Sequence, residues 1–231
     1  MSATINGDLS VRVVVDTSAM SWADSPSASV LRKRVHLVGP PESGQVTSVV
    51  RYEPESTFAP HDHPDGEEIL VLDGVFSDEH GDWPAGTYLL NPHGFRHAPF
   101  SRRGCLLFVK LRQFPGKDRR HVVIATDSLD WQATDSPDRA IKLLYRQPGY
   151  SDTTRLERWA PDDAPRDLRY ADGAEIFVLD GAFEDELGSH GVGTWMRLPA
   201  ESVHHASSRA GCILYIKEGG FAYLKSNGAN R

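Results

Sequence analysis

The chain is short of several things, and each shortage narrows what it is. Cysteine occurs twice in 231 residues, at Cys105 and Cys212. Each sits in an apolar run, so both thiols read as small core residues, and no disulfide between them is expected in a reducing compartment. No window approaches 18 uninterrupted apolar residues, so no segment reads as a membrane-spanning helix. The opening Met-Ser-Ala-Thr-Ile-Asn-Gly-Asp lacks the basic start and apolar run of a signal peptide, which makes the cytoplasm the default compartment. Positive charge is in deficit too. The formal net charge is −7, which argues against non-specific nucleic-acid binding, because that needs a basic surface.

Long helical periodicity is also missing. What recurs instead, every ten or so residues, is a short apolar or β-branched run closed by turn residues. Val11–Val15, Leu31–Val38, Gln45–Tyr52, Ile69–Leu72, Gly86–Leu90 and Cys105–Leu111 all read as strands. Gly39-Pro40-Pro41 and similar clusters punctuate them, and Ser18 to Val30 reads as a covering loop. This is the pattern of an all-β sandwich or jelly-roll barrel.

The second half repeats the first. Glu68-Ile-Leu-Val-Leu-Asp-Gly-Val-Phe-Ser-Asp-Glu-His-Gly81 returns as Glu175-Ile-Phe-Val-Leu-Asp-Gly-Ala-Phe-Glu-Asp-Glu-Leu-Gly188. Gly86 and Gly193, Pro92 and Pro199, Cys105 and Cys212, and Lys110 and Lys217 keep one ungapped offset. Two tandem domains of one design are therefore expected, at 1–115 and 116–231, with the linker-like Gln113 to Arg120 between them.

The chemistry lies in the first copy. His61 and His63 are two apart, so on a strand both rings point to one side. Glu67 follows across a Pro-Asp-Gly bend, and His97 arrives from a second Gly/Pro-punctuated hairpin. Three imidazoles and a carboxylate suit a divalent transition metal and leave open coordination positions for water or a small molecule. Glu67 is preferred to Glu68 because Glu68 has a counterpart, Glu175, in the second copy. The positions matching His61, His63 and Glu67 there are Leu168, Tyr170 and Ala174. Only His97 keeps a counterpart, in His204, so one metal per chain is expected. His93 and His121 read as solvated loop residues, Asp78-Glu79-His80 as a hairpin tip, and Tyr88, Phe95, Phe100 and Phe108 as core.

These residues resemble the two motifs of the cupin superfamily: His61, His63, Glu67 and Gly74 in the first, Gly86, Pro92, Gly94 and His97 in the second. Ser101 stands where the second motif ends in Asn, a position that is not a ligand. Within that superfamily the Gly66–Glu79 stretch is similar to the ChrR-type cupins, the metal-binding domains of zinc-dependent anti-sigma factors, which are themselves similar to acetylacetone-cleaving dioxygenases. The resemblance implies a bicupin, two double-stranded β-helix (jelly-roll) barrels. It also implies one divalent metal, zinc foremost, with iron, manganese or nickel as alternatives. The role it implies is regulatory or sensory with a small-molecule ligand, the other reading being an Fe(II)-dependent dioxygenase that cleaves a β-diketone or similar molecule. No catalytic residue is assigned. Sigma-factor binding in that family belongs to a helical N-terminal domain, whereas the residues before the first motif here are strand-rich and cysteine-free. Pairing through edge strands would give a homodimer; neither nucleic acid nor membrane is an expected partner.

Overall fold

The computed structural model describes residues 3–225, and among these the only helical segments are 3-10 turns at Thr126–Ser128 and Gly220–Tyr223. Everything else that is regular is antiparallel strand. No helix among the described residues is long and apolar enough to cross a membrane. The chain divides into two compact units.

In the first unit, the strands Ala3–Ile5, Val30–Gly39, Gln45–Tyr52, Cys105–Leu111, Glu67–Asp78, Thr87–Asn91 and Val122–Ala125 lie side by side in that order. A separate ribbon of His61–His63 and Phe95–His97 pairs antiparallel. The core gathers on the inner faces, with Val30, Tyr52, Ile69, Val71, Phe76, Leu89, Leu107 and Val109 buried together. In the second unit the order is Gln132–Ala133, Arg139–Arg146, Thr153–Trp159, Cys212–Glu218, Ala174–Asp185, Thr194–Leu198 and Val13–Asp16, with Asp163–Tyr170 paired to Ser202–Ser208. The jelly-roll arrangement is thus present twice, and the register repeats as well. Leu168 faces His204 across its ribbon as His61 faces His97.

By contacts, the division differs from a cut at 115/116. One unit takes residues 3–7, 20–128 and 223–225, and the other takes 8–19 and 129–222. The strand expected at Val11–Val15 forms at Val13–Asp16 but pairs with Thr194–Leu198, Asp16 opposite Thr194. Its later equivalent, Val122–Ala125, pairs with Thr87–Asn91 in the first unit, Ala125 opposite Thr87. Both receiving edges begin with the same Gly-Thr and both incoming strands are β-branched. Composition alone could not say which edge each would take.

The turn at Gly74 shows why the framework residues repeat although the ligands do not. Gly74 has φ +72°, and a Cβ there would lie 2.2 Å from the Gly104 carbonyl oxygen. Gly181 has φ +64° and the same relation to Gly211 at 2.0 Å. An alanine meets both left-handed strain and a backbone clash. We expect Gly74→Ala to cost about 2–5 kcal/mol, read as a lowered denaturant midpoint, and Gly181→Ala to do the same. A shift below about 0.5 kcal/mol would show that the turn relaxes freely.

Candidate metal centre

The ribbon brings the imidazoles together by register. His61 and His63 share a face through strand alternation, and His97 pairs directly with His61, so all three rings stand on one side. Ring centroids lie 4.7 Å apart for His61 and His63, 4.8 Å for His63 and His97, and 5.3 Å for His61 and His97. One nitrogen from each falls within 4.8 Å of the others. The bend after His63 returns the chain at once. Asp65 (φ 56°) and Gly66 (φ 73°) are both left-handed, and the Gly66 N–H donates to the His63 carbonyl. A Cβ on Gly66 would press on the Asn91 carbonyl at 2.9 Å. Glu67 therefore opens the next strand beside the rings, its Oε2 3.5 Å from His63 Nε2 and 3.6 Å from His97 Nε2.

The donor set fits a divalent ion. His63 Nε2 and His97 Nε2 face each other at 2.9 Å. Two nitrogens bound at right angles, with bonds of about 2.1 Å, would stand about 3.0 Å apart. The His61 Nδ1–H donates to the Ala59 carbonyl (2.8 Å), and the His97 Nδ1–H donates to Asp78 Oδ2 (3.0 Å). Both contacts leave the Nε2 lone pair free to ligate. The Asn91 side-chain amide donates to Glu67 Oε2 at 3.0 Å and fixes its orientation.

Electrostatics separate the imidazoles. Burial, with His97, His61 and Arg112 adding, lowers the His63 pKa to about 4 against the opposing pull of Glu67. Burial acts the same way on His97, but the Asp78 hydrogen bond and the charges of Glu67, Asp78 and Glu79 outweigh it and raise its pKa. Desolvation opposes the Asp78 carboxylate in turn, yet His97 and the His80 N–H hold it below the usual range.

Asp78 is the residue that the hairpin-tip reading missed. A signal was available: Asp78 and His97 recur together as Asp185 and His204, and that pair also touches, His204 Nε2 to Asp185 Oδ2 at 2.9 Å. We expect Asp78→Asn, which keeps an acceptor but removes the charge, to weaken metal binding about 10–100-fold in competitive chelator titrations. Asp185→Asn should leave metal binding unchanged, and equal affinities for wild type and Asp78→Asn would remove Asp78 from the site.

Other expected positions lie outside the cluster. Glu68 points elsewhere, accepting from the Tyr88 hydroxyl at 2.5 Å. His93 is exposed beside Asp65, and His121 stacks on Phe95 at 4.8 Å. The aromatic residues nearest the imidazoles are Phe58, 5.4 Å from His61, with Phe95 and Phe76 at 5.6 and 6.0 Å from His97.

Behind the imidazoles lies a cavity of about 330 Å³ whose wall includes His61, His63 and Glu67. The rest is mainly apolar: Val30, Val46, Val50, Phe58, Ile69, Phe76, Leu107, Val109 and Leu111, with Arg32, bound to Glu42, and Arg112 also on its lining. The second unit puts different chemistry at the equivalent positions. Register matches Val30 to Arg139, Ser48 to Arg155, Val50 to Glu157 and Tyr52 to Trp159. Arg155 binds Glu157 and Glu218, the Trp159 indole donates to Glu157, and Leu168, Tyr170 and Ala174 join the apolar core.

The ChrR cupin-like domain family matches the sequence twice, over residues 10–115 and 119–222. No curated protein matches it. A candidate dioxygenase from Nostoc punctiforme superposes with TM-score 0.72 at 14 % identity, over 98 % of this chain and 89 % of that one. Protein YlbA from E. coli gives 0.70 at 14 %, over 95 % and 94 %. The Escherichia coli pirin YhhW, in complex with nickel(II), gives 0.64 at 14 %, over 90 % and 98 %. At these identities the likeness is one of fold.

Proposed function

Since this chain belongs to the ChrR cupin-like domain family in both of its halves, we propose that it is a metal-dependent small-molecule-binding bicupin of regulatory or sensory type. His61, His63, Glu67 and His97 hold one divalent ion in the first unit. A single observation carries this reading: three imidazoles and a carboxylate converge, and His61, His63 and Glu67 of that set line a mainly apolar cavity. A structural ion needs no such cavity, whereas a ligand that must reach an open coordination position does. When bound, the ion supplies Lewis acidity and a coordination position for an oxygen atom of the ligand. The chain's own groups do the rest. Asp78 and Ala59 fix ring orientation, Asn91 fixes Glu67, and the apolar wall excludes water and favours a carbon-rich ligand.

A second reading uses the same cavity. With Fe(II), the site would serve a dioxygenase acting on a β-diketone or similar small molecule, and the dioxygenase assignment of the Nostoc protein of this fold is in keeping with that. Elemental analysis of the purified protein, then oxygen uptake with a β-diketone after Fe(II) reconstitution, separates the two. Zinc near one per chain without uptake supports the sensory reading. Substrate-dependent uptake by stoichiometric iron replaces it with the oxygenase. Two metals per chain would overturn the assignment of one ion to the first unit.

A further inference from the structure

Besides imidazoles, the cavity lining carries the charged side chains of Arg32, Glu42, Asp62, Glu67 and Arg112. Most are committed. Arg32 and Glu42 bind each other, Asp62 binds Arg96, and Glu67 accepts from Asn91 beside the imidazoles. Arg112 differs. Its backbone is pinned, the N–H donating to the Gly66 carbonyl at 2.9 Å and the carbonyl accepting from the Gln45 side-chain amide at 2.8 Å. Its guanidinium, on a partly buried side chain, has no hydrogen-bond or ion-pair partner among the described residues.

Arg112 also stands where an arginine is costly. Its φ is +59°, in the left-handed region. The second unit makes the same turn with a glycine. Leu111 pairs with Glu67 as Glu218 pairs with Ala174, and the next residue, Gly219, donates to the Gly173 carbonyl as Arg112 donates to that of Gly66. Gly219 has φ +69°, so the turn itself calls for a residue without a Cβ. An arginine held in that conformation, in the copy that bears the imidazoles and not in the other, points to a use for its side chain.

Its place suits that use. One residue beyond the Leu111–Glu67 pair, Arg112 sits on the strand neighbouring Glu67, and its charge is among those felt at His63. An unpaired guanidinium on a mainly apolar lining is a recognition group for an anion, and its planar fork matches the two oxygens of a carboxylate.

We propose that Arg112 recognises the ligand by its carboxylate, and that the ligand is a small acid with an apolar body. The carboxylate pairs with the guanidinium beside the metal ligands, and the body lies against Val46, Val50, Leu107 and Val109. This rests on the small-molecule reading above and narrows its ligand to an anion.

4-Methylpentanoate and 4-methylpentanamide test it, because they share a skeleton and differ in charge. In calorimetric titrations of the zinc-loaded full chain, Arg112→Gly should weaken binding of the acid about tenfold and leave the amide unchanged. Zinc content should stay as in wild type, and the denaturant midpoint should not fall, since glycine is what the second unit uses at this turn. Arg112→Lys should keep part of the affinity for the acid, because the charge remains and the fork is lost. Acid bound equally by wild type and Arg112→Gly would mean that the metal alone holds the carboxylate, which overturns the proposal. So would zinc held with no acid bound, or an Arg112→Gly chain that loses its zinc or its fold, the mark of a structural arginine. A wild-type chain that holds no zinc overturns the metal reading beneath, and this inference with it.

Discussion

Dialysed His97→Ala protein retains only a trace of metal, while His204→Ala retains as much as wild type. His97 is buried, its Nε2 lies 2.9 Å from His63 Nε2 and 3.6 Å from Glu67 Oε2, and its other nitrogen is committed to Asp78. Removing it deletes a ligand and leaves the Asp78 carboxylate without its imidazole. The loss should therefore exceed the 10–100-fold typical of an outer partner. His204 occupies the same register in the second unit and keeps the matching aspartate, but its neighbours are Leu168, Tyr170 and Ala174 instead of donors. The Nε2 atoms of His204 and His190 are both taken up by the Asp185 carboxylate, and no group of three such donors converges there among the described residues. Elemental analysis of both variants decides the matter, with His97→Gln as a volume-conserving companion. Stoichiometric metal in His97→Ala, or lost metal in His204→Ala, would reverse the assignment of the two units.

Arg139→Ala should destabilise the second unit by about 3–5 kcal/mol and leave metal content untouched. The Arg139 guanidinium donates to both oxygens of Asp163, at 3.0 and 2.7 Å, and lies 3.7 Å from the centre of the Trp159 ring. The Asp163 side chain is fully buried. Truncating the arginine strands that carboxylate, because the next cation, Arg166, lies 3.7 Å away and is partly in solvent. Replacing both partners by apolar residues, as in Arg139→Met with Asp163→Leu, should recover much of the loss, since the pair is most costly when half removed. Chemical denaturation reads the first effect and elemental analysis checks the second. A cost under about 1 kcal/mol would mean that the pair behaves like a surface ion pair.

Much of this protein was legible before any coordinates. The strand at Gln45–Tyr52 and the one at Cys105–Leu111 form where their β-branched and apolar runs begin and end. The offset between copies survives as hydrogen-bond register. The segments bearing His61, His63, Glu67 and His97 do meet, because strand alternation and turn glycines are local properties that a sequence displays openly. Asp78 showed only through its recurrence with His97 as Asp185 with His204, since a hairpin-tip aspartate by itself looks the same whether or not an imidazole lies against it.

Residue type and spacing by themselves determined the jelly-roll pattern, its duplication and the inequality of the copies, because side-chain periodicity and ligand chemistry are written position by position. Tertiary structure alone decided that Val13–Asp16 and Val122–Ala125 each join the unit encoded by the other half. It also decided that Ser48, Val50 and Tyr52 line a cavity in the first unit, while at the matching positions of the second Arg155 and Glu157 form an ion pair to which the Trp159 indole donates. Those outcomes depend on which strands pair and on what faces what across the interior. Such pairings are settled by the free energy of the whole assembled unit, and no single stretch of chain contains that sum.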